Sequence, residues 1–166
     1  NAVKFEVNDD VKADVLNVLP SMRAGTIAQQ TGLANINARW CDVNYMTYES
    51  KVHAGIHVIG DSIQLAPLMP KSGHMANQQA KVAAAAIIEL LAGRAPHTQP
   101  VVMNTCYSFV DAKSAIHVAS IHQYSAEQKT MLTVPGSGGV SGGGATELEG
   151  TYAMAWAQNI WADMLA

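Results

Sequence analysis

Three short stretches of this sequence bring together side chains able to do chemistry. "IHVIGD" ends in Gly60 and Asp61. A glycine at the carboxyl end of a buried strand lets a ligand approach the backbone, and a carboxylate beside it accepts hydrogen bonds from sugar hydroxyls. The competing reading is a plain turn capped by the aspartate. "PKSGH" follows, with Lys71, Ser72 and Gly73 at the start of a helix. Free N–H groups and the helix dipole favour negative charge there, and Lys71 adds a full positive charge. These residues suit an anion, or a ring that becomes anionic on reduction, as a flavin does; an ordinary capped helix with a solvated lysine uses the same residues. The third stretch is "NTCYS", with Cys106 in an apolar, strand-like run. A reactive thiol needs a partner or a positive environment, and the neighbouring residues offer neither. Cys41, in "RWCDVN", is equally unmarked, and nothing in the spacing pairs the two cysteines.

Two other patterns lead nowhere. "PGSGGVSGGG" fails the dinucleotide fingerprint G-x-G-x-x-G, because the third glycine position falls on Ser141 or Glu147. It reads as a flexible surface loop. His53 and His57 are separated by Gly55 and precede a strand, and His117 and His122 fall on opposite faces of another. Neither pair makes a zinc site, so no metal is expected.

The elements that must position these residues follow from periodicity. Val3, Phe5 and Val7 alternate weakly, as a short strand does. Val15 to Leu19 predict a short buried strand stopped by Pro20, and "AGTIAQQTGL" predicts one or two helical turns closed by Gly32. "CDVNYMTYES" reads as irregular or as a short strand pair, and "IHVIGD" as the best-defined strand. Pro67 and Pro70 would break a helix begun at Ser62, so Ser72 is the cap of the long Ala-rich helix, which Gly93 ends. Met75, Ala76, Ala80, Ala83, Ala84, Ile87, Ile88 and Leu91 give it one wide apolar face. "NTCYSFV", "AIHVASIHQY" and "KTMLTV" predict a small antiparallel sheet. "TYAMAWAQNIWADMLA" predicts a closing helix with Trp156, Ile160 and Met164 on its apolar face. A boundary falls near residues 97 to 101.

Composition bounds the rest. The 166 residues are 49% hydrophobic and 14% charged, enough apolar material for a core, with no apolar run as long as a membrane span. The net charge is -3 and the only arginines are Arg23, Arg39 and Arg94, so nothing points to nucleic acid. Two cysteines are too few for a disulfide framework. The chain opens without Met or a signal peptide. Asn1 and Ala2 read as an added remnant, and the remainder as the C-terminal part of something longer.

In combination, "LPSMRAGTIAQQTGL", "RWCDVNYMTYESKVHAGIHVIGDS", "MPKSGHMANQQAKVAAAAI" and "NTCYSFV" resemble the flavoprotein subunit of flavocytochrome c sulfide dehydrogenase. The resemblance runs over nearly the whole chain. It implies an α/β plus α+β fold: residues 3–97 as the second part of a Rossmann-like FAD domain with a preceding linker, and residues 101–166 as a small antiparallel-sheet interface domain with a C-terminal helix. It implies a periplasmic, FAD-dependent enzyme that oxidises sulfide and passes electrons to a c-type cytochrome subunit. A sulfide:quinone oxidoreductase-like enzyme and a non-catalytic interaction module are the alternatives. Carried over, Gly60 and Asp61 match the turn expected beside the ribityl–pyrophosphate part of FAD. Lys71, Ser72 and Gly73 match the helix start near the flavin pyrimidine, and Cys106 matches one half of a redox-active disulfide. The other cysteine and the glycine fingerprint are expected upstream of residue 1. On that expectation the chain alone holds FAD weakly or not at all.

Overall fold

The computed structural model describes residues 1–165. Three helices, α1 (Thr26–Gln30), α2 (Gly73–Leu91) and α3 (Glu147–Leu165), combine with three antiparallel sheets. β1 (Ala2–Val3) pairs with β2 (Val11–Lys12), and β3 (Val43–Asn44) with β4 (Glu49–Ser50). The third sheet has β5 (Val101–Phe109) at one edge and β6 (Ala115–Ser125) at its centre. β7 (Thr130–Thr133) and β8 (Gly139–Val140) share the other side of β6. This is an α+β arrangement. Among the described residues every paired strand is antiparallel, and the one parallel contact is an isolated bridge between Cys41 and Ile63.

The predicted start of the Ala-rich helix and the antiparallel sheet are present. Ser72 caps α2, its Oγ accepting the Met75 N–H at 3.0 Å. The register of β5 on β6 is unbroken from Val101 opposite Gln123 to Phe109 opposite Ala115. Side chains of a strand alternate between faces, so Val102, Asn104 and Cys106 share one face of β5, and Thr105 and Tyr107 the other.

Several expectations fail for identifiable reasons. "IHVIGD" is no strand: residues 56–59 lie beside β4 and make one bridge, Glu49 to His57. A strand buried on both faces needs a neighbour on each edge; here there is one, and Ile56 and Ile59 are exposed. The chain instead turns at Gly60 (φ +69°) into one 3-10 turn, Gly60–Ser62. Val15, Val18 and Leu19 are exposed and unpaired rather than a buried strand. The apolar face of α2 is rotated from the predicted one. The buried line runs through Met75, Gln79, Ala83 and Ala86, while Ile88 and Leu91 are exposed. Gln79 draws that line inward, because its Oε1 accepts the Gly60 N–H at 2.7 Å. The glycine-rich loop is partly structured: Gly139 and Val140 pair with β6, and the Ser141 N–H donates to the His117 carbonyl at 2.9 Å.

One core spans the chain from Val43 to Met131. Val43, Tyr45, Tyr48, Ile63 and Met69 pack with Met75 and Ala83 of α2 and with Val102, Tyr124 and Met131 of the sheet. A smaller cluster joins Ala24, Ala28, Leu33 and the buried Cys41.

Candidate functional site

The N-terminus of α2, the free edge of β5 and one face of α3 line an open cavity of about 610 Å³, within the about 300–1,000 Å³ range of small-molecule sites. Ser72, Gly73 and His74 line it from α2, Thr105, Cys106 and Tyr107 from β5, and Trp156 and Trp161 are among its α3 residues.

Each wall is fixed locally. β5 is an edge strand, so alternate backbone N–H groups point away from β6 and need partners. His74 supplies one, its Nδ1 accepting the Thr105 N–H at 2.9 Å. That bond places the proton of the neutral ring on Nε2. Burial, and then the charge of Lys81, hold the His74 pKa below its usual value. The ring packs edge-on against Trp156, centroids 5.4 Å apart, and Trp156 leans on Tyr107 at 5.8 Å. Tyr107 in turn sits 5.6 Å from His117, whose Nδ1 is 2.7 Å from Glu149 Oε2. That pair ties α3 to the sheet. Burial, and then the Glu149 and Tyr152 charges, push the Tyr107 phenol up.

Cys106 is a half-buried free thiol on the cavity wall. Its sulfur meets the Asn104 amide, with Nδ2 at 3.3 Å and Oδ1 at 3.4 Å. The amide oxygen also accepts the Ser72 hydroxyl proton, which links the sulfur to the cap of α2. Helix geometry leaves the first amides of α2 without intrahelical acceptors. Ser72 Oγ takes Met75 N–H, and Ser72 O takes Ala76 N–H. Gly73 and His74 keep the free N–H groups that make a helix start attractive to negative charge.

Three of the predicted site residues, Ser72, Gly73 and Cys106, therefore lie on one cavity. Gly60, Asp61 and Lys71 do not line it. Lys71 is spent on the turn before α2: its Nζ donates to the Asp61 carbonyl at 2.6 Å and to the Ile63 carbonyl at 3.3 Å, and rests 3.9 Å over the Trp40 ring. Burial lowers its pKa, against the raising effect of Asp61. The Asp61 side chain is exposed. Cys41 is fully buried in the smaller cluster, where burial pushes its thiol up.

Sequence reasoning placed His74 at the helix start for its backbone N–H but passed over its ring, and passed over Asn104, Tyr107 and Trp161. Asn104 and Tyr107 flank Cys106 in "NTCYS", and period 2 puts Asn104 beside the sulfur. It also started α3 late. "TELE" is a capping-box pattern, and the Glu149 N–H donates to Thr146 Oγ1 at 3.1 Å. The Glu149 side chain has been diverted to His117.

A family comparison bears directly on the β5–α3 wall. Residues 98–165 match the family described as flavocytochrome c sulphide dehydrogenase, flavin-binding. The matched segment holds β5 to β8 and α3, and so every wall of the cavity except the start of α2.

The cavity residues fit the ring end of a flavin. The walls are aromatic and apolar, Cys106 is among the lining residues, and two amides offer positive ends. They do not supply a pyrophosphate cradle: among the described residues no glycine turn joins a strand to a helix in the required spacing. No group of three or more His, Cys, Asp or Glu side chains that could hold a metal ion occurs among the described residues. No helix among them is long and apolar enough to cross a membrane.

Proposed function

We propose that this chain supplies the flavin-ring pocket and one redox cysteine of an FAD-dependent sulfide dehydrogenase. The observation that carries the reading is the placement of Cys106 on an aromatic cavity, beside the start of α2, in a segment matching a flavin-binding domain. Tyr107, Trp156 and Trp161 would flank the ring. The Gly73 and His74 amides, at the start of α2, would favour negative charge on a flavin held in the cavity. The Gly60–Asp61 turn takes the polar chain of FAD, and residues 3–97 form the second part of its binding domain. The glycine fingerprint and the second cysteine come from residues outside these 166, since Cys41 belongs to a separate buried cluster. The chain alone then holds FAD weakly or not at all.

In this reading Cys106 is half of a disulfide. Hydrosulfide forms a bond to one sulfur, the bond between the cysteines breaks, and the displaced cysteine leaves as a thiolate. A second hydrosulfide takes the outer sulfur away as a disulfide anion and leaves two thiols; a bound flavin would supply the two-electron oxidant that closes them to the disulfide again, and a c-type cytochrome partner would be the onward acceptor. The setting is periplasmic. The full-length enzyme, given sulfide, is expected to reduce a c-type cytochrome with flavin as intermediary. Reduction of a quinone analogue in its place, with no cytochrome reduced, overturns the choice of acceptor. Reduction of neither overturns the reading.

A further inference from the structure

We infer that Asn104 is the positioning residue for the Cys106 sulfur, holding it in both protonation states; this rests on the redox role proposed for Cys106. Asn104 is buried, 3% exposed. A buried amide needs partners for its oxygen and its nitrogen. Ser72 Oγ already accepts the Met75 N–H and gives its own proton to Asn104 Oδ1. That bond orients the amide. Among the described residues, the acceptor within reach of Asn104 Nδ2 is Cys106 Sγ, at 3.3 Å.

The sulfur therefore has a partner whichever state it is in. As a thiol it donates to Oδ1, at 3.4 Å. As a thiolate it accepts from Nδ2, a charge-assisted bond. The nucleophile in disulfide exchange is the thiolate, so the amide sets how readily this sulfur reacts. A hydrophobic residue at position 104 would pack in the core as Val102 does, and leave both the cap hydroxyl and the sulfur unpaired.

The test is alkylation of Cys106 by iodoacetamide across a pH series in the full 166-residue chain, with modification at each cysteine followed by mass spectrometry. Asn104→Asp keeps an acceptor for Ser72 while replacing the N–H donor with a negative charge. It is expected to slow Cys106 alkylation about tenfold near neutral pH. Cys41, fully buried, is the internal control and should stay unreactive. An unchanged rate and profile at Cys106 overturns the inference. If Cys41 becomes reactive, the core has opened and the Ser72→Gly variant decides, since glycine is a tolerated cap and leaves the Asn104 amide unoriented. A smaller slowing in the same direction supports the inference, and no change overturns it. Alkylation needs neither flavin nor sulfide, so a negative result removes the role of Asn104 and leaves the redox reading to its own test.

Discussion

Two histidines show how much a single buried ring decides in this molecule. His74 gives its Nδ1 to the Thr105 N–H, and His122, fully buried, has Ser120 Oγ at 3.0 Å from Nε2. Both are held below their usual value of 6.5, His74 by burial and then Lys81, His122 by burial. An unfolded chain with ordinary histidines thus binds more protons than the folded one just below that value. Stability is complete above 6.5 and falls as pH drops toward the folded values. Urea unfolding is expected to show a lower midpoint at about pH 5 than at about pH 7.5, and His122→Gln should shrink the difference. A gap as large in the variant as in the parent would show that other groups set the acid response.

At the scale of elements, α3 is seated by the absence of a side chain. Gly150 lies where the helix crosses the turn after β5, and a Cβ there would overlap the Lys113 carbonyl. Helix propensity alone favours alanine over glycine by about 1 kcal/mol. The obstacle is backbone, which cannot swing aside as a long side chain can. Gly150→Ala is therefore expected to destabilise by about 1–3 kcal/mol in urea unfolding. A stabilised variant would show that α3 does not dock this closely. Elements carried by local signals were legible in the sequence: the Ser72 cap, the end of α2 at Gly93 and the three long strands of the sheet. Elements decided by neighbours far along the chain were not. "IHVIGD" has the composition of a buried strand but lacks the flanking strands that would make it one. The stripe of α2 is turned by Gln79, whose partner Gly60 lies nineteen residues earlier. The candidate site divides in the same way. Cys106, Ser72 and Gly73 could be picked by residue type, whereas His74 and Trp156 matter only because α2 and α3 converge across the edge of β5.

Considered whole, the molecule has one principal core, drawing on the segment before residue 97 and on the sheet after it. The cavity is built across that junction: α2 supplies its positive end, and the segment that matches the flavin-binding family supplies Cys106 and the aromatic walls. The central claim is that this cavity brings a flavin ring against Cys106 so that sulfide can reduce it. The measurement that tests it most directly is the visible absorption of flavin in the full-length Cys106→Ser enzyme, followed anaerobically on adding sulfide. The account predicts that flavin stays bound, because its contacts come from other residues, and that dithionite still bleaches it. Bleaching by sulfide should slow by orders of magnitude, since the disulfide that sulfide attacks can no longer form. Bleaching by sulfide at the parent rate would contradict the account and make Cys106 an ordinary strand residue.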